Sequence, residues 1–416
     1  MRQAGATERG GADTAAAGRM ALAAAALWRR DGPAAVTFGA VADESGLAKS
    51  LVSHHFATRE QLLEAAAAAL AAGFEQDLDR LADQLAKLPS ELACPEEVAA
   101  LVVEALATSP SDLGAGLLEL VSLGLTAPGY RDLFVRLAAR IRGLLPQRAF
   151  AANQAFLMAF VLGELLGHCP QHAGAVGLAG LRRRVGWFVE ETPSDEQRWL
   201  SGLLSIVRAQ DAPAPAALPE APIPAAKGAV RGSAAKRAAI VAATLDMLAE
   251  SDASGITHRG IAERAGLPLA ATTYHFESKL EILEAAYQHI IDAALAEAQR
   301  IYDDSLQRGD AAFERVVAEM LTFYAGRGRR NTIAQFHLAL FACRTRALAG
   351  FASRAHDAEV ELLRARARDS GVVLTRNLAQ AVTSVVGGIL LLRMLGLAPG
   401  DGGPLQISPA PRPTSE

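Results

Sequence analysis

Apolar residues recur three and four positions apart along most of the chain, between short polar stretches, so the expected elements are helices. The first covers about 15–30, with Leu22, Ala26 and Trp28 among its inward candidates, and Asp31-Gly32-Pro33 ends it. Thr37 has the hydroxyl to cap a second helix reaching Glu44, and Gly46 breaks that helix where the chain must turn left-handed. A short third helix restarts over 48–54. TREQ at 58–61 is a capping box, in which Thr58 and Gln61 satisfy free amides of a fourth, longer helix.

The same phrase returns 220 residues later. Thr37 falls on Thr257, Ala42 on Ala262, Gly46 on Gly266, Leu47 on Leu267, and His55-Phe56 on His275-Phe276. LEAA at 63–66 meets LEAA at 283–286, and SKLE at 278–281 repeats the capping box. A gap-free match over about fifty residues marks two homologous units. Later segments at 112–124, 130–145 and 151–167 resemble 331–347, 353–369 and 376–397, while the first half alone adds 174–191 and 194–209. Between the halves Pro and Ala alternate, which opposes helix and favours an extended spacer of roughly 60–70 Å at ~3.1 Å per residue. The expected organisation is all-α. A disordered 1–14 precedes a first head at 15–64 and a first helical body at 65–208; a linker at 209–232 leads to a second head at 233–284, a second body at 285–398 and a disordered tail at 399–416.

Composition sharpens this picture. Hydrophobic residues make up 51% and aromatics 5%, with alanine dominant, and alanine and leucine cost least in a helix. The net charge of −4 exerts no global pull toward nucleic acid or membrane, so any nucleic-acid surface must be local. Cys94, Cys169 and Cys343 show no paired spacing, which fits a reducing cytosol. The N-terminus lacks a signal-peptide core, and NLAQAVTSVVGGILLL at 377–392 is shorter than the ~20 residues of a bilayer span. A soluble, cytoplasmic protein without a membrane partner is expected.

Candidate chemistry is sparse. No nucleophile–base pair, phosphate loop or carboxylate dyad stands out, so neither an enzyme nor a cofactor is expected. HCPQH at 168–172 has metal-ligand residue types but no further partners and reads as a connecting turn; no metal is expected. His54 and His55 are adjacent, point about 100° apart on a helix, and cannot comfortably share an ion. RRR at 182–184 reads as a solvated helix face.

A short helix held by a glycine turn over a second helix is a helix-turn-helix, whose second helix fits the major groove. VTFGAVADESGLAKSLVSHHFATREQLLEAA and ITHRGIAERAGLPLAATTYHFESKLEILEAA resemble the N-terminal signature of TetR-family transcriptional regulators. The bodies resemble that family in helix order and length alone. The resemblance implies an all-α protein with a DNA-reading head and a ligand-sensing, dimerising body. Ordinary members carry one head per chain, so this chain looks like two members fused. It further implies DNA contacts from Thr37, from Lys49, Ser50 and Leu51 at base-facing positions, from Ser53 and His54, and from His55 and Arg59 on the phosphate side. In the second copy it implies Thr257, Arg259, Thr272, Thr273, Tyr274, His275 and Lys279. Gly39 stands where the family often has Arg, and the second recognition helix begins Leu269-Ala270-Ala271, without the bidentate Arg or Asn that reads bases best.

The expected protein is therefore a ligand-responsive regulator, a repressor by expectation, whose partner is a double-stranded DNA operator. As an intrachain pseudo-dimer, monomeric in solution by expectation, it would set two recognition helices about 34–36 Å apart and read an imperfect palindrome. Helices at 153–167 and 377–395 are seam candidates, with Ala381, Ser384 and Gly388 at 3–4 spacing permitting close approach, although both also read as buried core helices. A small apolar effector would meet Phe156, Met158, Trp187 and Phe188 in the first body, or Phe323, Tyr324, Phe336, His337 and Phe341 in the second. The same residues fit plain core packing. A rival of another class is a ligand- or partner-binding adaptor whose heads have lost DNA.

Overall fold

The computed structural model of the protein describes residues 4–108, 113–125, 128–146, 154–172, 180–189, 194–209, 232–309, 312–398 and 406–407. The first half runs α1 (Ala4–Asp31), α2 (Phe38–Ser45), α3 (Lys49–His55), α4 (Arg59–Leu85), α5 (Pro95–Thr108), α6 (Leu113–Gly124), α7 (Pro128–Leu144), α8 (Leu157–His168), α9 (Leu181–Val189) and α10 (Asp195–Ala209). The second runs α11 (Ser233–Leu248), α12 (His258–Ala265), α13 (Leu269–His275), α14 (Lys279–Gln307), α15 (Phe313–Ala325), α16 (Arg329–Arg344), α17 (Ala349–Asp369) and α18 (Arg376–Met394). The protein is all-α apart from a two-residue antiparallel pairing of Leu397–Ala398 with Gln406–Ile407.

Three expectations about the ends and inner faces are corrected. α1 begins at Ala4, so the first fourteen residues are helical rather than disordered from that point; no proline interrupts the segment. The pairing of Gln406–Ile407 gives the tail some regular structure, and its remaining residues lie outside those described. Leu22 is 63% exposed, because the buried face of α1 is Met20, Ala24, Leu27 and Trp28. Of the Pro/Ala linker only Ala209, ending α10, and Gly232, capping α11, fall among the described residues.

The first head has an apolar cluster of its own, the second head shares one with α16 and α17 of its body, and the two bodies share another. That shared core joins α5 to α10 with α15, α16 and α18, and Trp199 of α10 stacks on Phe313 of α15 with centroids 5.8 Å apart. At its centre α8 and α18 meet backbone to backbone. A Cβ on Gly163 would fall 1.7 Å from the Ser384 carbonyl oxygen, and one on Gly388 would fall 1.7 Å from that of Ala159. Only hydrogen fits there. Ala381 and Ser384 are buried in the same contact. Among the described residues α18 is the one unbroken helix long and apolar enough to cross a bilayer, and most of it is buried inside the fold.

The seam encloses a charge. Arg184 of α9 donates from Nη2 to Glu164 Oε2 at 2.8 Å and from Nε to Oε1 at 3.1 Å, both residues being 1% exposed. His168 Nε2 lies 2.9 Å from Glu164 Oε2, and the Ser384 hydroxyl donates to Oε1 at 2.7 Å. Burial alone would raise the pKa of Glu164, but the Arg184 guanidinium and the hydrogen bonds from His168 and Arg184 hold it well below the usual range. The arginine run at 182–184 is thus not wholly a solvated face: Arg182 and Arg183 are exposed, while Arg184 neutralises a carboxylate inside the core.

Candidate nucleic-acid interface

The recognition helices are set by local capping chemistry. The Thr37 hydroxyl accepts from Ala40 N–H at 3.2 Å, and Gly46 turns left-handed at φ 67°. The Leu47 amide then bonds back to the Ala42 carbonyl at 3.1 Å, closing a Schellman-type stop. In the second head Thr257 accepts from Gly260 N–H at 3.1 Å, Gly266 has φ 66°, and Leu267 bonds to Ala262 at 2.9 Å. Both capping boxes close as well. Gln61 accepts from Ala57 N–H and Glu281 from Glu277 N–H, each at 2.8 Å.

α3 buries Val52 and half-buries Leu51 and His55, leaving Lys49, Ser50, Ser53 and His54 in solvent. α13 exposes Ala270 and Thr273, together with Leu269 at 49% and Tyr274 at 82%. Apolar side chains this uncovered on a seven-residue helix point to a face that another surface covers. Ser53 and Thr273 each bond to a backbone carbonyl of their own helix, at 3.2 and 3.3 Å, and keep lone pairs for a partner. Arg259 pairs with Glu263 at 2.9 Å on an exposed face, a contact of ~0.3–0.5 kcal/mol that a phosphate can displace.

Several nominated residues are engaged elsewhere. Thr272 has no exposure; it occupies the position of Val52, and its hydroxyl donates to the Leu269 carbonyl at 2.8 Å, so it cannot reach a base. Arg59 donates to the Pro33 and Val36 carbonyls at 2.7 and 3.1 Å. Lys279 makes the matching bond to the Ser254 carbonyl at 3.1 Å and lies 5.1 Å from the Phe341 ring centre. Burial lowers the pKa of Lys279 against the raising effect of Asp252. Both cations therefore tie down the turn before α2 or α12. Arg237 carries a role the repeat pattern missed. It donates to the His275 carbonyl at 3.0 Å and lies 4.1 Å over Phe276, putting a cation beside the end of α13. Its place near the start of α11 is the one signal the sequence offers.

The heads touch each other and the bodies. The turn Pro33–Ala35 meets the turn Ala253–Gly255, with Ala34 N–H 3.4 Å from the Ser254 hydroxyl. Arg344 of α16 pairs with Glu119 of α6 and, at 2.6 Å, with Asp252 ahead of the second turn. Burial brings the pKa of Arg344 down to about 10, against the raising effect of Asp31. The Trp28 indole N–H donates to Glu119 at 3.5 Å. His337 lies 2.6 Å from the Leu248 carbonyl through Nδ1 and 2.9 Å from the Ser122 hydroxyl through Nε2.

A cavity of roughly 220 Å³ opens between α14, α15, α16, α17 and α18, with α8 of the first half at its edge. Of the nominated effector contacts, Tyr324 and Phe336 line it. Phe156, Met158, Trp187 and Phe188 instead fill the shared core, where Phe188 stacks on Phe160 at 4.5 Å. Phe323 packs with Ile301, Tyr302 and Val316, Phe341 packs beneath the second head, and His337 is the interhelix link described above. The HCPQH histidines are spent on protein contacts, His168 on Glu164 and His172 on the Ala342 carbonyl at 2.9 Å.

Residues 22–66, from within α1 to the start of α4, match the family described as bacterial regulatory proteins, tetR family. The first head therefore carries the DNA-binding domain of that family, the domain of a transcriptional regulator. No curated protein matches the chain.

Proposed function

We propose that this chain is a cytoplasmic, ligand-responsive repressor whose two non-identical heads form an intrachain pseudo-dimer on an imperfect palindrome. One observation carries the reading: counterpart residues of the two halves meet each other. Ala34 N–H approaches the Ser254 hydroxyl at 3.4 Å across 220 positions, the offset of the two heads, and in the seam Gly163 faces the Ser384 carbonyl while Gly388 faces that of Ala159. The seam contact is reciprocal, since 163 pairs with 388 and 159 with 384 at one offset of 225, the offset at which 151 meets 376. A twofold axis carries each residue onto its counterpart, and residues on the axis touch their own counterparts. One such contact joins the heads and the other lies in the α8–α18 seam, so one approximate axis accounts for both.

Heads related this way address successive major-groove faces about 34–36 Å apart. Covalent linkage makes the second encounter intramolecular, at an effective concentration of order mM. The half-sites differ, because α3 presents Lys49, Ser50 and His54 at the positions where α13 presents Leu269, Ala270 and Tyr274. An effector in the cavity favours one body arrangement by differential affinity, and the Arg344–Asp252 and His337–Leu248 links carry that preference to the second head.

Selection from a random DNA pool, followed by footprinting and solution mass of the complex, tests the proposal. One chain protecting two unlike half-sites is expected. Two chains per site using the same head, or no selected DNA at any salt concentration, would refute it; the second result would favour the adaptor.

A further inference from the structure

We infer that the cavity takes one small amphipathic amine per chain, an aromatic or alicyclic body ending in an ammonium group, with Glu359 as its counter-charge. This rests on the cavity being the effector site of the proposed regulator, although the binding chemistry is argued from the cavity itself.

Glu359 lies on α17 and accepts from Gln335 Nε2 at 2.8 Å through one oxygen. Among the described residues the other oxygen has no hydrogen-bond partner, and no Lys, Arg or His nitrogen lies within ion-pair distance of the carboxyl. The remaining wall is largely apolar and aromatic, including Tyr287, Ile291, Phe313, Phe336 and Leu390.

The other ionisable wall groups are already neutral or engaged. His356, three residues earlier on α17, is kept neutral by burial and by the nearby His168, against Glu164 and Asp357, with Arg184 also lowering it. Arg366, two turns further on, pairs with Asp369 at 3.2 Å and lies 5.0 Å over the Tyr302 ring. The phenols of Tyr287 and Tyr324 are pushed up by burial and by Glu359, so both stay neutral, and Tyr324 donates to the Ala294 carbonyl at 3.0 Å. Outside the wall, Asp357 pairs with Arg376, Glu297 of α14 with Arg300, and Cys343 of α16 adds to the field at Tyr287.

Glu359 is therefore the one wall charge left unmatched among the described residues. Burial pushes its carboxyl up to about 7. An ammonium group held there finds a counter-ion and ring faces for cation–π attraction, whereas an anion meets a like charge. Binding to the protonated acid releases that proton to solvent; binding to the carboxylate moves none. The volume, about 220 Å³, is below the ≈ 300–1,000 Å³ usual for drug-sized ligands, which restricts the amine to a compact body. The first half does not repeat the site, since α7 carries Arg136, Arg140 and Arg142 and no carboxylate after Asp132.

Calorimetry on the full chain with phenylbutylamine, phenylbutanol and phenylbutyrate presents one apolar body with three head charges. At pH 7.5 the amine is expected to bind once per chain and at least tenfold more tightly than the alcohol, with the carboxylate not binding. Moving to pH 5.5 should weaken the amine about 25-fold as Glu359 takes up its proton, and leave the alcohol unchanged. Glu359→Gln should abolish both the amine preference and its pH dependence while keeping alcohol affinity. Equal binding of amine and alcohol, a preference that survives Glu359→Gln, or two sites per chain would overturn the inference. The comparison of head charges on the unaltered chain stands even if the variant fails to fold. Operator release is measured separately: amine binding without release would defeat the regulatory reading and leave the site standing.

Discussion

Gly387 and Gly388 are neighbours on α18, yet adding a methyl group to each should have opposite effects. At Gly387 the new Cβ would meet only the Leu166 Cδ2 at 3.9 Å, an ordinary contact. At Gly388 it would sit 1.7 Å from the carbonyl oxygen of Ala159, 2.5 Å from its carbon and 2.9 Å from its Cα. Those atoms belong to the backbone of α8, which has no rotamer to give. To carry the methyl from 1.7 Å to a tolerable 3.0 Å, the helices must part by about 1.3 Å, which opens contacts along the whole seam. Replacing glycine by alanine in a helix interior otherwise stabilises by roughly 0.5–1 kcal/mol, so Gly387→Ala should be neutral to stabilising. Gly388→Ala sets that gain against an overpacking cost of about 1–3 kcal/mol or more, at the high end because backbone must move. Urea denaturation should separate the two variants by at least ~2 kcal/mol, with Gly163→Ala behaving like Gly388→Ala because its Cβ would lie 1.7 Å from the Ser384 oxygen. Equal stability of Gly387→Ala and Gly388→Ala would refute a backbone-contact seam and, with it, the structural support for the pseudo-dimer.

Other outcomes follow from the same contacts. Arg344→Met strips the cation from Glu119 and Asp252, each at most 10% exposed, and should cost about 3–5 kcal/mol by denaturation; adding Glu119→Gln and Asp252→Asn should recover part of it. Lys49→Ala should weaken operator binding in gel shift and flatten its salt dependence, whereas Thr272→Val, on the buried face of α13, should leave the selected sequence unchanged. The folded-state pKa of Glu359, about 7, exceeds its unfolded value, so the folded chain holds the proton more tightly and stability falls as pH rises from about 4.5 to 7. Glu359→Gln lacks that decline and should exceed the parent by about 3 kcal/mol at pH 8 and match it near pH 4.5. His337 and His356, both lowered by burial, destabilise the parent and the variant alike below pH 6.5, so the difference between the two curves isolates Glu359.

The amino-acid order alone determined the helix-turn-helix geometry of both heads. Thr37, Gly46 and Thr58, like Thr257, Gly266 and Ser278, act on amides and carbonyls within five residues, and such bonds depend on little beyond the local chain. The direction in which a polar side chain ends up was another matter. Thr272 reads as a base-contacting threonine until the packing of α13 buries it, and Arg184 reads as one of three solvated arginines until α9 brings it against Glu164. Lys279 and Arg59 read as phosphate contacts, but the tertiary fold spends them on carbonyls ahead of the second helix of each head. Effector contacts were the least legible, because apolar residues at helical spacing serve a core and a cavity wall equally well. Only the arrangement of α14 to α18 leaves Phe336 facing space while Phe188 is packed against Phe160. Bonds between near neighbours are written in the order of residues; burial, and what each charge finds to pair with, are decided where distant segments meet.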